Sequence, residues 1–258
     1  MILTAFWLKI IAVTGMILQH MALALPGAFP LGVEIFLQIS GGLTFPILAF
    51  LLVDGFRATS NLSKYMTRLA VFGVISFVPH LFVLGTGLNI MFTMALSLYL
   101  LKLRRERGNS ASFWAIFVVL ILACAFLDWG IIGPIGVILY DMIKNEKARR
   151  IVVPLFFIAG VLLQGLLVTS LMSLFIDMEY LMAEMDMSIA PAFFPVGTLL
   201  AIPLLLLYNG ERGRPAKWFF YVIYPLHLAV LAIVSIAMGK NVLINMIRNI
   251  FYEIGNLL

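Results

Sequence analysis

The chain has 258 residues, 63% of them hydrophobic and 11% charged, with a net charge of +5. A soluble domain is about half apolar and about a quarter charged, so the composition excludes a soluble enzyme or a nucleic-acid-binding module and predicts one membrane domain over 1–258. The apolar runs are continuous and about 20 residues long, which predicts helices and not the alternating segments of a barrel.

The first predicted span, 5–25, holds LKIIAVTGMILQH, Leu8 to His20. On an ideal helix Lys9 and His20 project within about 20° of one another, separated by a rise of about 16 Å. One face therefore links a cation at one end of the span to an imidazole toward the other. A charge at mid-bilayer costs about 2.5–3.5 kcal/mol, so each group needs a partner or a cavity. One reading pairs Lys9 with Asp54 and makes His20 a hydrogen-bonded core histidine. The other makes their shared face functional. Ala22-Leu23-Ala24 imitates a signal-peptidase site, but no positive charge precedes the apolar run before Lys9, so retention of the segment is expected.

The second span, 33–56, contains Ser40-Gly41-Gly42 and then Pro46. Such a break is tolerated in a membrane only where protein or water satisfies the freed backbone. It marks either close helix packing or a cavity. Glu34 lies near one end and Asp54 near the other. The third span, 66–84, carries His80 after Pro79, with an interfacial role expected. The fourth, 88–103, carries Asn89 and Thr93. The fifth and sixth, 112–127 and 131–144, flank Asp128, and Cys124 is read as a packing residue. The seventh is 151–175. The eighth, 191–208, contains Pro191, Pro195 and Pro203. The ninth, 217–238, holds His227 two residues after Pro225, with Tyr224 beside it. A histidine next to a proline kink is either structurally satisfied or proton-handling. Beyond it, the polar residues of 241–258 fall near one helical face, which predicts an amphipathic helix on the membrane surface.

Nine spans sort the charges. Fifteen of the seventeen basic residues lie on the amino-terminal side or in the even-numbered linkers, among them Arg57, Arg68, Arg104, Arg105, Arg149, Arg150, Arg212 and Lys217. The positive-inside rule then puts the amino terminus in the cytoplasm and the carboxyl terminus outside. The linker from Asp177 to Asp186 is acidic and expected outside. Spacing shows no metal motif, no P-loop and no G-x-S-x-G elbow. No internal repeat supports an inverted-repeat transporter.

LKIIAVTGMILQH, TFPILAFLLVDGFRATSNLSKYMTRLAVFGVISFVPH, LNIMFTMALSLYL and YNGERG…KWFFYVIYPLHLAVL, in that order, resemble the TraX family, named for the acetylase of the F-type pilin amino terminus. That family is similar in turn to the acyltransferase-3 group, which has a basic residue, ten intervening residues and a histidine in its first span. Lys9 and His20 match that spacing. The resemblance implies acetyl transfer from cytoplasmic acetyl-coenzyme A (acetyl-CoA) to an amine or hydroxyl acceptor on the outer side, such as a pilin amino terminus or a surface sugar. His20 is then the general base or acyl-transfer histidine, with His227 as a second candidate. Lys9, Arg57, Arg68, Arg212 and Lys217 are the expected donor-binding cations, because phosphates favour Arg forks and Lys point charges. Asn89 and Thr93 are expected to bind acceptor or an oxyanion, and Tyr224 to face substrate. The family usually has Asp directly before this histidine, where this chain has Gln19. Glu34 and Asp128 are the candidate replacement acids. A transporter or flippase using the same polar residues, and a non-catalytic assembly factor, are the competing functions.

Overall fold

A computed structural model describes residues 2–85, 87–172, 188–241 and 243–244. Its elements are α1 (Ala5–Ala24), α2 (Leu31–Gly42), α3 (Thr44–Ala58), α4 (Leu62–Leu84), α5 (Ile90–Arg107), α6 (Ala111–Ala123), α7 (Ile132–Met142), α8 (Glu146–Met172), α9 (Phe194–Leu206) and α10 (Lys217–Ala237), with 3₁₀ turns at Cys124–Phe126 and Ala190–Phe193. No strand longer than an isolated bridge occurs among the described residues. Helix occupies every predicted apolar span, the second being split into α2 and α3 and the eighth entered through a 3₁₀ turn. Five segments are long and apolar enough to cross a membrane: Ala5–Ala24, Leu31–Ala58, Leu62–Leu84, Glu146–Leu167 and Lys217–Ala237. The acidic linker 177–186 and the amphipathic tail beyond 244 lie outside the described residues.

The start of α1 shows what the Asn209–Gly213 motif does. A helix begins with N–H groups that lack intrahelical partners. Here Ala5 N–H donates to the Glu211 carbonyl at 2.8 Å and Phe6 N–H to the Arg212 carbonyl at 3.1 Å. The motif holds itself in shape, with Glu211 N–H donating to Asn209 Oδ1 at 2.9 Å. Gly213 has φ +70°, and a side chain there would strike Thr4. Only glycine meets both conditions without strain. The clamp sets Arg212 beside the first turns of α1.

The break between α2 and α3 is paired internally. Pro46 removes the N–H that would have served the Gly42 carbonyl four residues earlier. Thr198 Oγ1 of α9 donates to that carbonyl instead, at 2.8 Å. Thr44 Oγ1 crosses to the Ala12 carbonyl of α1 at 2.9 Å. Small residues let these helices touch: a side chain at Gly197 would strike the Ile39 carbonyl, and one at Gly15 the Ser40 carbonyl. Close backbone approach through small residues is the usual packing mode between apolar helices, where burial alone supplies little attraction. The result is a tight α1–α2–α9 unit. α10 lies along α4, and α4 along α5.

Candidate functional site

His20 of α1 and His227 of α10 are 207 residues apart in sequence and hydrogen-bonded in space, Nδ1 to Nε2 at 2.8 Å. Their rings are nearly parallel, at 11°, and both are buried. The other nitrogen of His227, Nδ1, sits 2.9 Å from the Ile223 carbonyl. A carbonyl only accepts, so His227 Nδ1 carries the proton. In neutral His227 the Nε2 atom is then an acceptor, and His20 Nδ1 is its donor. In a neutral His20 this leaves Nε2 as a bare lone pair. The main-chain oxygen of one helix thus selects the tautomer of a histidine on another, the task that a third group performs in a nucleophile–base–orienter array. His80 of α4 is also buried and lies close enough to His20 to interact with it electrostatically. Among the described residues no group of three His, Cys, Asp or Glu could hold a metal ion.

His20 opens on a cavity of about 430 Å³ lined also by Gln19, Thr44, Asp128, Trp129 and Gln164. Asp128 sits in the turn between α6 and α7. Its N–H donates to the Leu88 carbonyl at 2.6 Å, and its carbonyl accepts from Thr93 Oγ1 at 2.5 Å. Burial pushes its carboxyl up to about 6, opposed by a hydrogen bond from the Trp129 N–H. Trp129 has φ +65°, unusual for a bulky residue. Its ring is held on Phe45 at 4.4 Å and edge-on to Phe157 at 5.6 Å.

A second cavity, of about 900 Å³, lies at the basic end of the bundle. Lys9, Arg57, Arg68, Arg212 and Lys217 all line it, together with Arg149 and Arg214. Arg57 is engaged with Asp141 at 3.1 Å, and Arg149 with Asp54 at 2.9 Å. The latter pair occupies the carboxylate that the sequence offered to Lys9. Lys9 lies instead over the Phe220 ring at 5.6 Å. Arg68 is near the Tyr65 and Tyr221 rings, 5.7 Å from each. Among the described residues none of Lys9, Arg68, Arg212, Arg214 and Lys217 is in an ion pair. Uncompensated cations around a concavity attract anions.

The two cavities share wall residues, Met16 and Ile90. Lys9, Met16 and His20 follow one another along one face of α1, at spacings of seven and four. That face runs from the basic cavity, past Met16, to the histidine cavity. Tyr224 lines the basic cavity near this junction, edge-on to His227 at 5.5 Å.

The other expected residues stand elsewhere. Glu34 accepts a hydrogen bond from Ser188 at 2.7 Å and lines neither cavity. Asn89 Oδ1 caps α5 by accepting from the Met91 N–H, and its amide donates to the Gly73 carbonyl at 2.8 Å. Thr93 holds the Asp128 carbonyl. Both are fully buried, and neither reaches a cavity. They position the Asp128 turn and the start of α5.

The sequence profile described as "TraX protein" matches residues 5–235. The chain is 31% identical over 245 residues to a Dichelobacter nodosus protein named "Probable fimbrial assembly protein FimC, serogroup H1", covering 88% of this chain and 94% of that one. No solved structure matches.

Proposed function

The chain belongs to the TraX family, and from that premise we propose that it is an acetyl-CoA-dependent membrane acyltransferase. It spans a bacterial inner membrane nine times, with the basic cavity open to the cytoplasm and the carboxyl terminus outside. The observation that carries this reading is the shared wall of the two cavities at Met16 and Ile90. Uncompensated cations at one end and an oriented histidine at the other are the two requirements for using a cytoplasmic anionic thioester on an outer acceptor. The basic cavity has the volume of a ligand pocket, about 300–1,000 Å³, and its Arg and Lys side chains suit phosphate groups. The first-span Lys and His also support kinship with the acyltransferase-3 group.

Acetyl-CoA supplies an acetyl group as a thioester. Lys9, Arg68, Arg212 and Lys217 hold the nucleotide phosphates, and the face from Lys9 to His20 leads the acyl end inward. His20 Nε2 takes the proton of an amine or hydroxyl as it attacks, and His227 fixes the tautomer that makes this possible. The relative named for fimbrial assembly favours a pilin-like amine over a surface sugar as acceptor. That same name favours, as a second reading, an assembly factor without catalysis, in which His20 is only structural.

Release of coenzyme A thiol from acetyl-CoA by the detergent-purified protein decides between them, with pilin-type amino-terminal peptides and amino sugars as acceptors. Acceptor-dependent release, lost in His20→Ala, is the expected result. A transporter moves substrate without thiol release, and an assembly factor retains its function in His20→Ala.

A further inference from the structure

Acyl transfer to an amine moves two protons, and His20 Nε2 has one lone pair to receive them. An α-amino group has a pKa of about 8, so at neutral pH it arrives as an ammonium ion. It loses one proton before it can attack and a second as the new bond forms.

A second base lines the His20 cavity. Asp128 stands there with its main chain already fixed, its N–H on the Leu88 carbonyl and its carbonyl on Thr93 Oγ1. Its carboxyl receives the Trp129 N–H, and among the described residues no cation forms an ion pair with it. Among those residues no Lys or Arg lines this cavity, and Asp128 is its one acidic residue. A buried carboxylate without a counterion is costly, and a protonated acceptor brings the cation that this one lacks. Trp129 lines the same cavity, and an indole is the ring type that best attracts cations. Its φ of +65° is backbone strain of the kind that gathers at functional sites. The titratable side chains around Asp128 are His20 in the same cavity wall and Tyr224 of α10, which interacts with its charge. Cys124, four residues back, donates to the Leu120 carbonyl. The two cavities thus differ in sign, with uncompensated cations in one and a single carboxylate in the other.

We propose that Asp128 is the second base of the transfer, binding the acceptor as an ammonium ion and taking the first of its two protons. The inference rests on the acyltransferase reading. Proton transfer to Asp128 leaves a neutral carboxyl and a free nitrogen lone pair. The lone pair attacks the thioester carbonyl carbon, the C–N bond forms and the C=O π pair moves onto oxygen. The second proton goes to His20 Nε2. The C=O bond then re-forms, the C–S bond breaks, and His20 returns its proton to sulfur. The products are an amide and a thiol, and the proton on Asp128 leaves to water with them. Burial, which pushes the carboxyl up to about 6, moves it toward the basicity that such an exchange needs. A hydroxyl acceptor brings no charge to the carboxylate and no first proton, so Asp128 favours amines.

The test uses the whole protein in detergent, with acetyl-CoA and a peptide α-amine on which the wild type turns over. Asp128→Asn keeps the side-chain shape and cannot take a proton, so the variant depends on the uncharged amine, about a tenth of the total at pH 7. Its kcat/KM is expected to be at least about tenfold below wild type at pH 7 and within about threefold at pH 9. Its Kd for coenzyme A is expected within threefold of wild type, because Asp128 does not line the basic cavity. A second measurement needs no variant. The same peptide with a trimethylated amino terminus should inhibit the wild type at least about tenfold more tightly than the peptide with an acetylated, neutral one. A deficit of equal size at pH 7 and pH 9 places the role of Asp128 in orienting His20 and overturns the proposal. So does a variant within threefold of wild type at pH 7, or equal inhibition by the two blocked peptides. Each of these leaves the acyltransferase reading standing. A wild type inert toward every thioester and acceptor overturns both.

Discussion

His227 Nε2 accepts the proton of His20 Nδ1 at 2.8 Å because the Ile223 carbonyl holds His227 in one tautomer. A base made in this way depends on both rings. His20→Ala should lower acetyl transfer about 10²–10⁴-fold, the usual worth of a positioned base. His227→Phe keeps ring volume but frees His20 to change tautomer and rotate. It should lower kcat by at least about tenfold and leave coenzyme A affinity unchanged. Thiol-release kinetics and binding isotherms on both variants check this. Equal loss of affinity and turnover in His227→Phe would make the contact a packing one.

The pairing also marks the limit of what the sequence discloses. The Lys9–His20 spacing is a property of one helix, and periodicity reveals it. The cations lining the basic cavity follow from charge asymmetry between linkers. The partnership of His20 with His227 spans 207 residues, and no local pattern encodes which helices meet. Asn89 and Thr93 read as substrate groups because they lie in the family-matched LNIMFT stretch, toward the expected outer side. Their partners, the Gly73 and Asp128 carbonyls, come from other segments and carry no side-chain signature. The helical nature of the apolar runs was legible, and five of the resulting segments are long and apolar enough to cross a membrane. The break at Gly42 was legible too, although its pairing with Thr198 was not.

The cations around the basic cavity differ in how far they are already engaged. Arg57 shares Asp141 with Arg104, whereas Arg212 and Lys217 face the cavity without an ion pair among the described residues. Hydrogen bonds to charged groups are worth about 1.5–3 kcal/mol, and about 1.4 kcal/mol is a factor of ten. Arg212→Ala and Lys217→Ala should therefore raise the KM for acetyl-CoA about tenfold or more, with kcat within about threefold. Arg57→Ala should have a smaller effect. Raising salt should weaken donor binding in the wild type and less in these variants. Initial-rate kinetics across a salt series measures both. A uniform effect of all three substitutions would break the link between free charge and donor binding.

Met16 borders both cavities, and the proposed acyl path from the basic cavity to His20 runs past it. Met16→Trp should block that proposed path, lowering kcat at least about tenfold while coenzyme A still binds at the basic end. Met16→Ala should widen it and raise the rate with propionyl- and butyryl-CoA relative to acetyl-CoA. One methylene in an apolar pocket discriminates by about 10–200-fold, which is ample range for the ratio to move. Unchanged donor preference in both variants would place the acyl path elsewhere.

Asp128 supplies a pH dependence whose sign is fixed by burial. Its carboxyl is pushed up to about 6 in the folded protein from an ordinary 3.8. The folded state therefore binds its proton more tightly than the unfolded state does. Stability from this group is fully present below about pH 4 and is lost as pH rises through about 6. Above that, a carboxylate is held in a turn where its main compensation is the Trp129 N–H. Asp128→Asn keeps an acceptor for that N–H and cannot ionise. The variant should gain Tm over the wild type at pH 7.5 and match it near pH 3.5, below the ordinary carboxyl value of 3.8. Thermal unfolding in detergent across that range checks the difference. The same variant separates two roles for the residue, because Asp128 lines the His20 cavity. An acid that orients His20 through its charge predicts that Asp128→Asn gains stability but loses turnover. A carboxyl that only closes the α6–α7 turn predicts the gain in stability with turnover kept. Equal Tm values at both pH values would mean that Asp128 ionises in the fold as it does in water.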